Sequence, residues 1–401
     1  MKEIRGGITA PLGFLAAGIH VGIKKASVPD LALVVSLQEG PIAGVFTKNR
    51  VAAAPVLLDR LHLRQRIGRA IIINSGNANA CTGAMGLTDA EEMAGLVARG
   101  VGTAPHSVFV GSTGVIGQPL PMACLRRGIP TLVKRLRRSG GAEAAKAILT
   151  TDTKAKQVAL RTRIAGRRVT VGGMAKGSGM IHPDLATMLA YLTTDAAIQQ
   201  RTLQRALLAA VTRSFNCISI DGDTSTNDTV LCLANGMAGA PVLRAGSPEF
   251  ALFQRLLDHA CFSLAMQVCR DGEGVTKVVE VVVTGARTQA NARQVAKTIA
   301  TSNLVKTALF GEDANWGRIM AAIGRSGVRI DPNKLELAFE GIPIVKEGTS
   351  LGSLAERRIA RIMRRKEFTV TVHLGQGQAA ARLWTTDLSY DYVRINATYR
   401  S

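Results

Sequence analysis

A threonine in the middle of the chain stands where it could become a nucleophile. Thr187 follows Ala186 and a loose approach containing Gly177, Gly179 and Pro183. A threonine hydroxyl is a weak nucleophile unless a base lies beside it. A threonine at a chain terminus carries that base as its own α-amine, with an ordinary pKa of about 7.7–8.0. Cleavage before Thr187 would therefore create a nucleophile and its general base in one step.

The plainer interpretation of Thr187 is a β-branched residue that begins a buried strand. The five residues after it, 188–192, are all hydrophobic, as a buried strand requires. Taken alone, the local residue types favour this plainer interpretation, because they do not show that the bond before Thr187 is cut.

Two loops that follow predicted strands could bind a ligand. Residues 111–117 read Gly-Ser-Thr-Gly-Val-Ile-Gly, and the amides of such a turn can bind an anion or the oxyanion of a tetrahedral intermediate. No Gly-Lys-Ser/Thr follows, so they do not form a P-loop. Residues 74–83 are rich in asparagine and suit either a functional loop or a structural one held by its own amides.

A metal site is not indicated. Residues 221–228 are acidic, but a calcium loop needs Gly and Glu where this chain has Thr226 and Cys232. A polar, self-bonded turn between a helix and a strand fits these residues better. The six cysteines form no CxxC pair and have no histidine at ligand spacing, which favours reduced cysteines in a cytoplasmic protein.

The elements that must position these residues follow from apolar patterning. The chain has 401 residues, 47% of them hydrophobic and only 4% aromatic, which predicts an α/β core built from Ala, Val, Leu and Ile. Short apolar runs predict strands at 31–35, 70–73, 108–110 and 279–283. Thr88 is predicted to open one helix through a capping box, and Asp195 to cap another.

The net charge of +21 raises the alternative of nucleic-acid binding. The densest basic clusters, 125–138 and 356–366, keep apolar residues at helical spacing, which predicts helices with a solvated basic face. No aromatic residues interleave with their arginines, so a base-stacking platform is not indicated. A positive field that attracts acidic metabolites is the simpler interpretation.

Motifs along the whole chain, in order, closely resemble those of the self-cleaving ornithine acetyltransferases of arginine biosynthesis, the glutamate N-acetyltransferase family. The matching segments are 7–11, 74–83, 112–117, 150–153, 175–181, 186–189, 214–228, 271–274, 306–317 and 391–400. The resemblance implies an α/β, α+β-layered fold in which helices cover mixed sheets.

The family likeness also implies a mechanism. The chain would cut itself between Ala186 and Thr187 into an α chain of 1–186 and a β chain of 187–401, intertwined in one catalytic unit. Thr187 would take acetyl from N2-acetyl-L-ornithine and pass it to L-glutamate by ping-pong kinetics. No cofactor is implied, and the expected assembly is a cytoplasmic α2β2 heterotetramer.

Site residues carry over from the same likeness. The catalytic set is Thr187 with the oxyanion pair Thr113 and Gly114, and the substrate-binding set is Thr151, Lys176, Thr187, Glu273, Asn396 and Ser401. Lys176 suits a substrate α-carboxylate, and Glu273 suits the cationic side chain of ornithine. From residue type alone, both could instead form structural salt bridges.

Two departures from the family pattern are expected to matter little for chemistry. Asp184 adds a negative charge near the cut, which would alter the processing rate, and the terminal Ser401 replaces the usual threonine but keeps a hydroxyl. Three alternatives stay open: an added use of acetyl-CoA as donor, a self-cleaving aminopeptidase of related fold, and a basic nucleic-acid-binding protein.

Overall fold

A nine-stranded mixed sheet dominates the protein, whose computed structural model describes residues 1–182 and 188–398. Its strands are β1 (Lys2–Glu3), β2 (Phe14–Ile19), β3 (Leu31–Phe46), β4 (Ile67–Asn77), β5 (Val108–Val115), β6 (Lys156–Ile164), β7 (Arg167–Lys176), β8 (Leu189–Thr194) and β9 (Thr229–Ala234). Their order is β1-β6-β7-β8-β9-β3-β4-β5, with β2 paired to β3. The strands predicted at 31–35, 70–73 and 108–110 are confirmed as parts of β3, β4 and β5.

Strand β3 joins two parts of this sheet. Its residues 31–35 pair with β2 and β4, whereas 42–46 pair with β9, and the register shifts between Val35 and Gly40. A Cβ atom at Gly40 would lie 2.0 Å from the Ala234 carbonyl oxygen, so only glycine permits this close approach. Strand β3 thus pairs with β2 and β4 along one half and with β9 along the other.

Alternating side chains show how the two parts are layered. On β8, Tyr191 lies in a central core and Leu192 in an outer one. On β4, Ile71 lies in the same central core and Ile72 in a different outer one. Because successive strand residues point to opposite faces, both parts of the sheet share the central core and each has an outer face to cover.

Helices cover the outer faces. They are α1 (Ala54–His62), α2 (Gly83–Val101) and α3 (Met122–Lys134) over β3–β5, and α5 (Gln200–Arg213) and α6 (Pro248–Arg270) over β6–β9; α4 (Gly141–Ala147) packs into the central core. The result is a helix–sheet–sheet–helix arrangement, which confirms the predicted class of mixed sheets covered by helices.

A second, six-stranded sheet follows α6. It contains β10 (Val278–Ala286), β11 (Glu336–Phe339), β12 (Ile342–Lys346), β13 (Thr349–Ser350), β14 (Glu367–His373) and β15 (Ala379–Thr386), in the order β13-β12-β11-β14-β10-β15. The helices of this region are α7 (Gln289–Ala300), α8 (Asn303–Phe310), α9 (Trp316–Gly324), α10 (Ser353–Met363) and α11 (Tyr390–Thr398). The predicted strand at 279–283 is confirmed in β10.

Two predicted helix starts are wrong. Helix α2 begins at Gly83, so Thr88 lies inside it and its hydroxyl donates back to the Ala84 carbonyl over 3.3 Å. Helix α5 begins at Gln200, and Asp195 is buried before it. Its carboxylate accepts the amides of Leu12 at 3.0 Å and Thr170 at 2.7 Å, so a distant turn and strand β7 use the oxygens that a helix cap would need.

The two basic clusters lie on α3 and α10 and their flanks, with arginines exposed and apolar residues such as Leu125 and Ile359 buried. Both therefore have the solvated basic face that their spacing predicts. Across residues 1–182 and 188–398, the structure has no helix with the length and apolar character of a membrane span.

Candidate active site

A pocket of about 740 Å³, counted to its open mouth, lies at the ends of β5 and β7 and the start of β8. Six predicted site residues line it: Thr113, Gly114, Thr151, Lys176, Glu273 and Asn396. Met188 and Leu189, the residues that follow Thr187 in the chain, line it as well. Thr187 itself, with Ala186, Asp184 and Ser401, lies outside the described residues.

Gly114 is required by the close pairing of β4 with β5. It adopts a φ of +132°, and a Cβ atom there would lie 2.3 Å from the carbonyl carbon of Gly76. Both the angle and the contact exclude a side chain. The backbone at Thr113 and Gly114 therefore lines the pocket without a side chain over Gly114, the arrangement that an oxyanion-binding amide needs.

Lys176 ends β7 and brings a cation into the pocket. Its Nζ atom donates to the hydroxyls of Thr150 at 2.7 Å and Thr113 at 3.2 Å, and lies 3.9 Å from a carboxylate oxygen of Asp152. Burial lowers the pKa of Lys176, and the negative charge of Asp152 offsets part of that effect. The ammonium is thus held in place by two hydroxyls and one anion.

Asp152 is the partner that sequence reasoning missed. Burial would raise its pKa, but Lys176, Lys156 and the amide of Gly177 outweigh that effect and lower the pKa to about 2. Its carboxylate accepts the Gly177 amide at 2.6 Å and the Thr150 amide at 3.1 Å. In the sequence, Asp152 is indicated only by its place in the motif Thr-Thr-Asp-Thr at 150–153, and the predicted site includes only a threonine of that motif.

Thr150 and Thr151 have different roles in the pocket. The prediction selected Thr151, whose hydroxyl shares a 2.6 Å hydrogen bond with the hydroxyl of Ser178. The neighbouring Thr150 is the one that accepts from Lys176. Both side chains line the pocket, so the segment contributes one residue that orients the lysine and one that is bound to the loop after β7.

Glu273 and Asn396 meet although they are far apart in sequence. The side-chain amide of Asn396 donates to a Glu273 carboxylate oxygen at 2.9 Å and to the Tyr392 carbonyl at 3.0 Å. The Glu273 amide donates to the Ser178 carbonyl at 2.8 Å. A Cβ atom at Gly179 would lie 2.5 Å from the Glu273 carboxylate, so glycine makes room for this anion.

Residues 221–228 do more than the self-bonded turn that was predicted. Asp221 accepts the amides of Met180 and Ile181, and Asn227 donates to the carbonyls of Ala78 at 2.6 Å and Ser112 at 2.8 Å. These bonds reach three other segments because each side chain offers more than one polar atom.

The segment 225–228 also lines the pocket. In the described part of the chain, no three side chains of the metal-ligating types are grouped to hold an ion. The pocket therefore offers the cation of Lys176, the acidic side chains of Asp228 and Glu273, and an uncovered glycine backbone. These groups suit a carboxylate, an ammonium and the oxyanion of an acyl transfer.

Comparisons with known proteins agree across the chain. The sequence model of the ArgJ family matches residues 15–401. The arginine biosynthesis bifunctional protein ArgJ of Symbiobacterium thermophilum is 49% identical, over 100% of both chains. That of Geobacter sulfurreducens is 50% identical, over 97% of this chain and 99% of its own. A crystal structure of the Bacillus halodurans protein, 45% identical, superposes with a TM-score of 0.51 over 53% of this chain and 100% of its own.

Proposed function

The chain belongs to the ArgJ family, and from this membership we infer that it is an acyltransferase of arginine biosynthesis that moves acetyl from N2-acetyl-L-ornithine to L-glutamate. The products are L-ornithine and N-acetyl-L-glutamate. One observation carries the assignment to this pocket: Lys176, Glu273 and the Gly114 backbone line the same pocket as the residues that follow Thr187. The aminopeptidase and nucleic-acid alternatives are not favoured, because full-length relatives are arginine biosynthesis proteins.

In the proposed mechanism, the chain first cuts itself between Ala186 and Thr187. The new α-amine of Thr187 takes the proton of its own hydroxyl as the oxygen attacks the acetyl carbonyl carbon. Thr113 and Gly114 bind the oxyanion, and the released α-nitrogen of ornithine takes the proton. The amine of glutamate then attacks the acetyl-Thr187 ester, and the proton returns to the threonine oxygen.

Lys176 pairs with the α-carboxylate that both substrates share, and Glu273 with the side-chain ammonium of ornithine. Asn396 has both a donor and an acceptor, so its amide can serve the side-chain carboxylate of glutamate when ornithine has left. Thr151 and Ser401 complete the proposed substrate-binding set. The buried contacts of Lys176 and the Asn396–Glu273 hydrogen bond support this assignment.

The proposed products of cleavage are an α chain of 1–186 and a β chain of 187–401 that stay together as an α2β2 heterotetramer. Strand pairing supports the association within one unit: β8 pairs with β7, and β9 pairs with β3, across the proposed cut. A cytoplasmic location is proposed on the six free cysteines, which suit a reducing compartment.

Denaturing electrophoresis together with an acetyl-transfer assay tests this function. Purified wild-type protein should give two fragments of about half size and form N-acetylglutamate from N2-acetylornithine and glutamate. Thr187→Ala should give one full-length band and no transfer. An active wild-type protein that runs as a single intact band would contradict the proposed nucleophile.

We propose a second activity, acetylation of glutamate by acetyl-CoA, because the full-length relatives are named bifunctional. No cofactor is needed for either reaction. Incubating the purified protein with acetyl-CoA and glutamate tests it: absence of N-acetylglutamate from a protein that transfers acetyl from N2-acetylornithine would exclude this activity.

A further inference from the structure

Behind the pocket, four charged side chains form a row in space in which positive and negative charges alternate. Lys176 lies 3.9 Å from Asp152, and the Nζ atom of Lys156 lies 2.6 Å from both Asp152 and Asp271. Their side chains are 11%, 0%, 1% and 8% exposed for Lys176, Asp152, Lys156 and Asp271, respectively. We call these four residues the buried ion chain.

The two ends of the ion chain connect to two of the charged residues that line the pocket, Lys176 and Glu273. One end is Lys176 itself. The other end, Asp271, lies two residues before Glu273 in the loop that follows α6. Asp271 also accepts the amides of Thr153 at 3.0 Å and Lys154 at 3.2 Å, so it fixes this loop against the segment that carries Asp152.

Lys156 does not line the pocket, so it cannot bind substrate directly. A contribution to the stability of the fold does not explain the buried Lys156 either. Removing two or more charges from water is costly, and an apolar cluster of similar volume is often as stable as a buried ion pair. An ion chain fixes the direction and spacing between its charged groups, whereas an apolar cluster does not.

On the basis of the proposed function, we propose that Lys156 and Asp271 are positioning residues that fix the distance between Lys176 and Glu273, and so set the length of the diamino acid accepted as acetyl donor. Lys176 holds the α-carboxylate and Glu273 the distal ammonium, so their separation selects the number of methylenes between them. N2-acetyl-L-lysine, with one more methylene than N2-acetyl-L-ornithine, should therefore be a poor donor.

The test is a charge-balanced double variant. Lys156→Met alone would leave Asp152 and Asp271 facing one another without a cation between them, and such a chain would fold poorly. Lys156→Met combined with Asp271→Ala removes one charge of each sign, and Asp152 keeps Lys176. The amides of Thr153 and Lys154 can then bind water, because both residues are exposed.

The matched control removes an ion pair beside the chain. Arg270 precedes Asp271 and pairs with Glu367 at 2.7 Å on the surface, with both side chains about half exposed. Arg270→Met combined with Glu367→Gln therefore removes one charge of each sign beside Asp271 without changing the buried ion chain.

The readout is the preference for N2-acetylornithine over N2-acetyllysine, as the ratio of kcat/KM, in variants whose folding is checked by thermal melting. One methylene corresponds to a preference of roughly 10- to 200-fold in a fitted site. We expect the ratio to fall about tenfold or more in the Lys156/Asp271 variant and to stay unchanged in the Arg270/Glu367 variant. A folded Lys156/Asp271 variant with the wild-type ratio would overturn the proposal.

Calorimetric affinities for L-ornithine and L-lysine measure the corresponding preference in binding, without turnover. If wild-type protein transfers no acetyl but binds ornithine in preference to lysine, the proposed function fails while the ion chain is still tested on binding. Wild-type protein that binds the two amino acids equally, or binds neither, overturns the ion-chain proposal whatever its acetyl-transfer activity.

Discussion

Lys176 keeps a charge in a buried position because Asp152 and two hydroxyls surround it. The residue type and its place in a family motif were enough to select the lysine from the sequence. The aspartate was not selected, because an acidic residue between threonines looks like any polar turn until the fold brings it beside a lysine from another strand.

Replacing Lys176 by methionine should weaken the use of both substrates. A hydrogen bond to a charged group contributes about 1.5–3 kcal/mol, so kcat/KM should fall by roughly 10- to 150-fold. Steady-state kinetics with each substrate measure this loss. Lys146→Met, at an exposed position of α4, is the matched control and should leave kcat/KM unchanged.

The pH dependence of donor binding should depend on Lys176. Because burial lowers its pKa, the ammonium loses its proton at a pH below the ordinary 10.5. The positive charge is present below that lowered pKa, so KM for N2-acetylornithine should rise as the pH increases through it. Asp152, with a pKa of about 2, stays ionised throughout and adds no acidic limb. A Lys176→Arg variant that keeps the same alkaline limb would contradict this assignment.

Two glycines, one in β5 and one just after it, differ in why they must be glycine. Gly114→Ala would place a Cβ atom 2.3 Å from the backbone of Gly76 and displace the proposed oxyanion site, so kcat should fall by about 10²–10³-fold. Gly117 follows the strand and has a φ of +77° with no atom within 4 Å of its would-be Cβ.

Gly117→Ala is therefore the control for backbone conformation alone. It should cost roughly 1–2 kcal/mol of stability and leave kcat unchanged. Equal kinetic losses in the Gly114 and Gly117 variants, measured beside their melting temperatures, would show that the close contact with Gly76 is not what matters.

Strand β8 carries a fully buried tyrosine hydroxyl at Tyr191. Within the described residues, the hydroxyl of Tyr191 is buried without a hydrogen-bond partner. Its removal in Tyr191→Phe should stabilise the protein by about 1 kcal/mol, because an unsatisfied buried polar group is unfavourable. On the same strand, Thr193 donates to the Ile8 carbonyl at 2.5 Å, so Thr193→Val should destabilise it. A lower melting temperature for Tyr191→Phe would contradict the first expectation.

Strands were predicted better than helix ends. Apolar runs such as 70–73 identify buried strands directly, because burial on both faces leaves no room for polar residues. Helix starts depend on which donors reach a capping side chain. Asp195 illustrates the limit: its oxygens bind the amides of Leu12 and Thr170, and nothing near it in sequence indicates those partners.

Across the whole molecule, the sequence gives no domain boundary because the two parts of the chain build one sheet. Strands β8 and β9 lie between β7 and β3, so residues on either side of position 187 are neighbours in the nine-stranded sheet. The residues that line the pocket are also dispersed along the chain, from Ala78 to Asn396. Composition and spacing could not assemble it, and only the ordered family motifs indicated that these residues meet.

Intact-mass measurement of the protein after incubation with N2-acetylornithine, in the absence of glutamate, would show the acetyl-Thr187 intermediate itself. We predict two fragments, 1–186 and 187–401, with one acetyl group on Thr187 of the second fragment that disappears when glutamate is added. A protein that transfers acetyl to glutamate while its mass shows an intact chain, or fragments that never carry acetyl, would contradict the proposed mechanism.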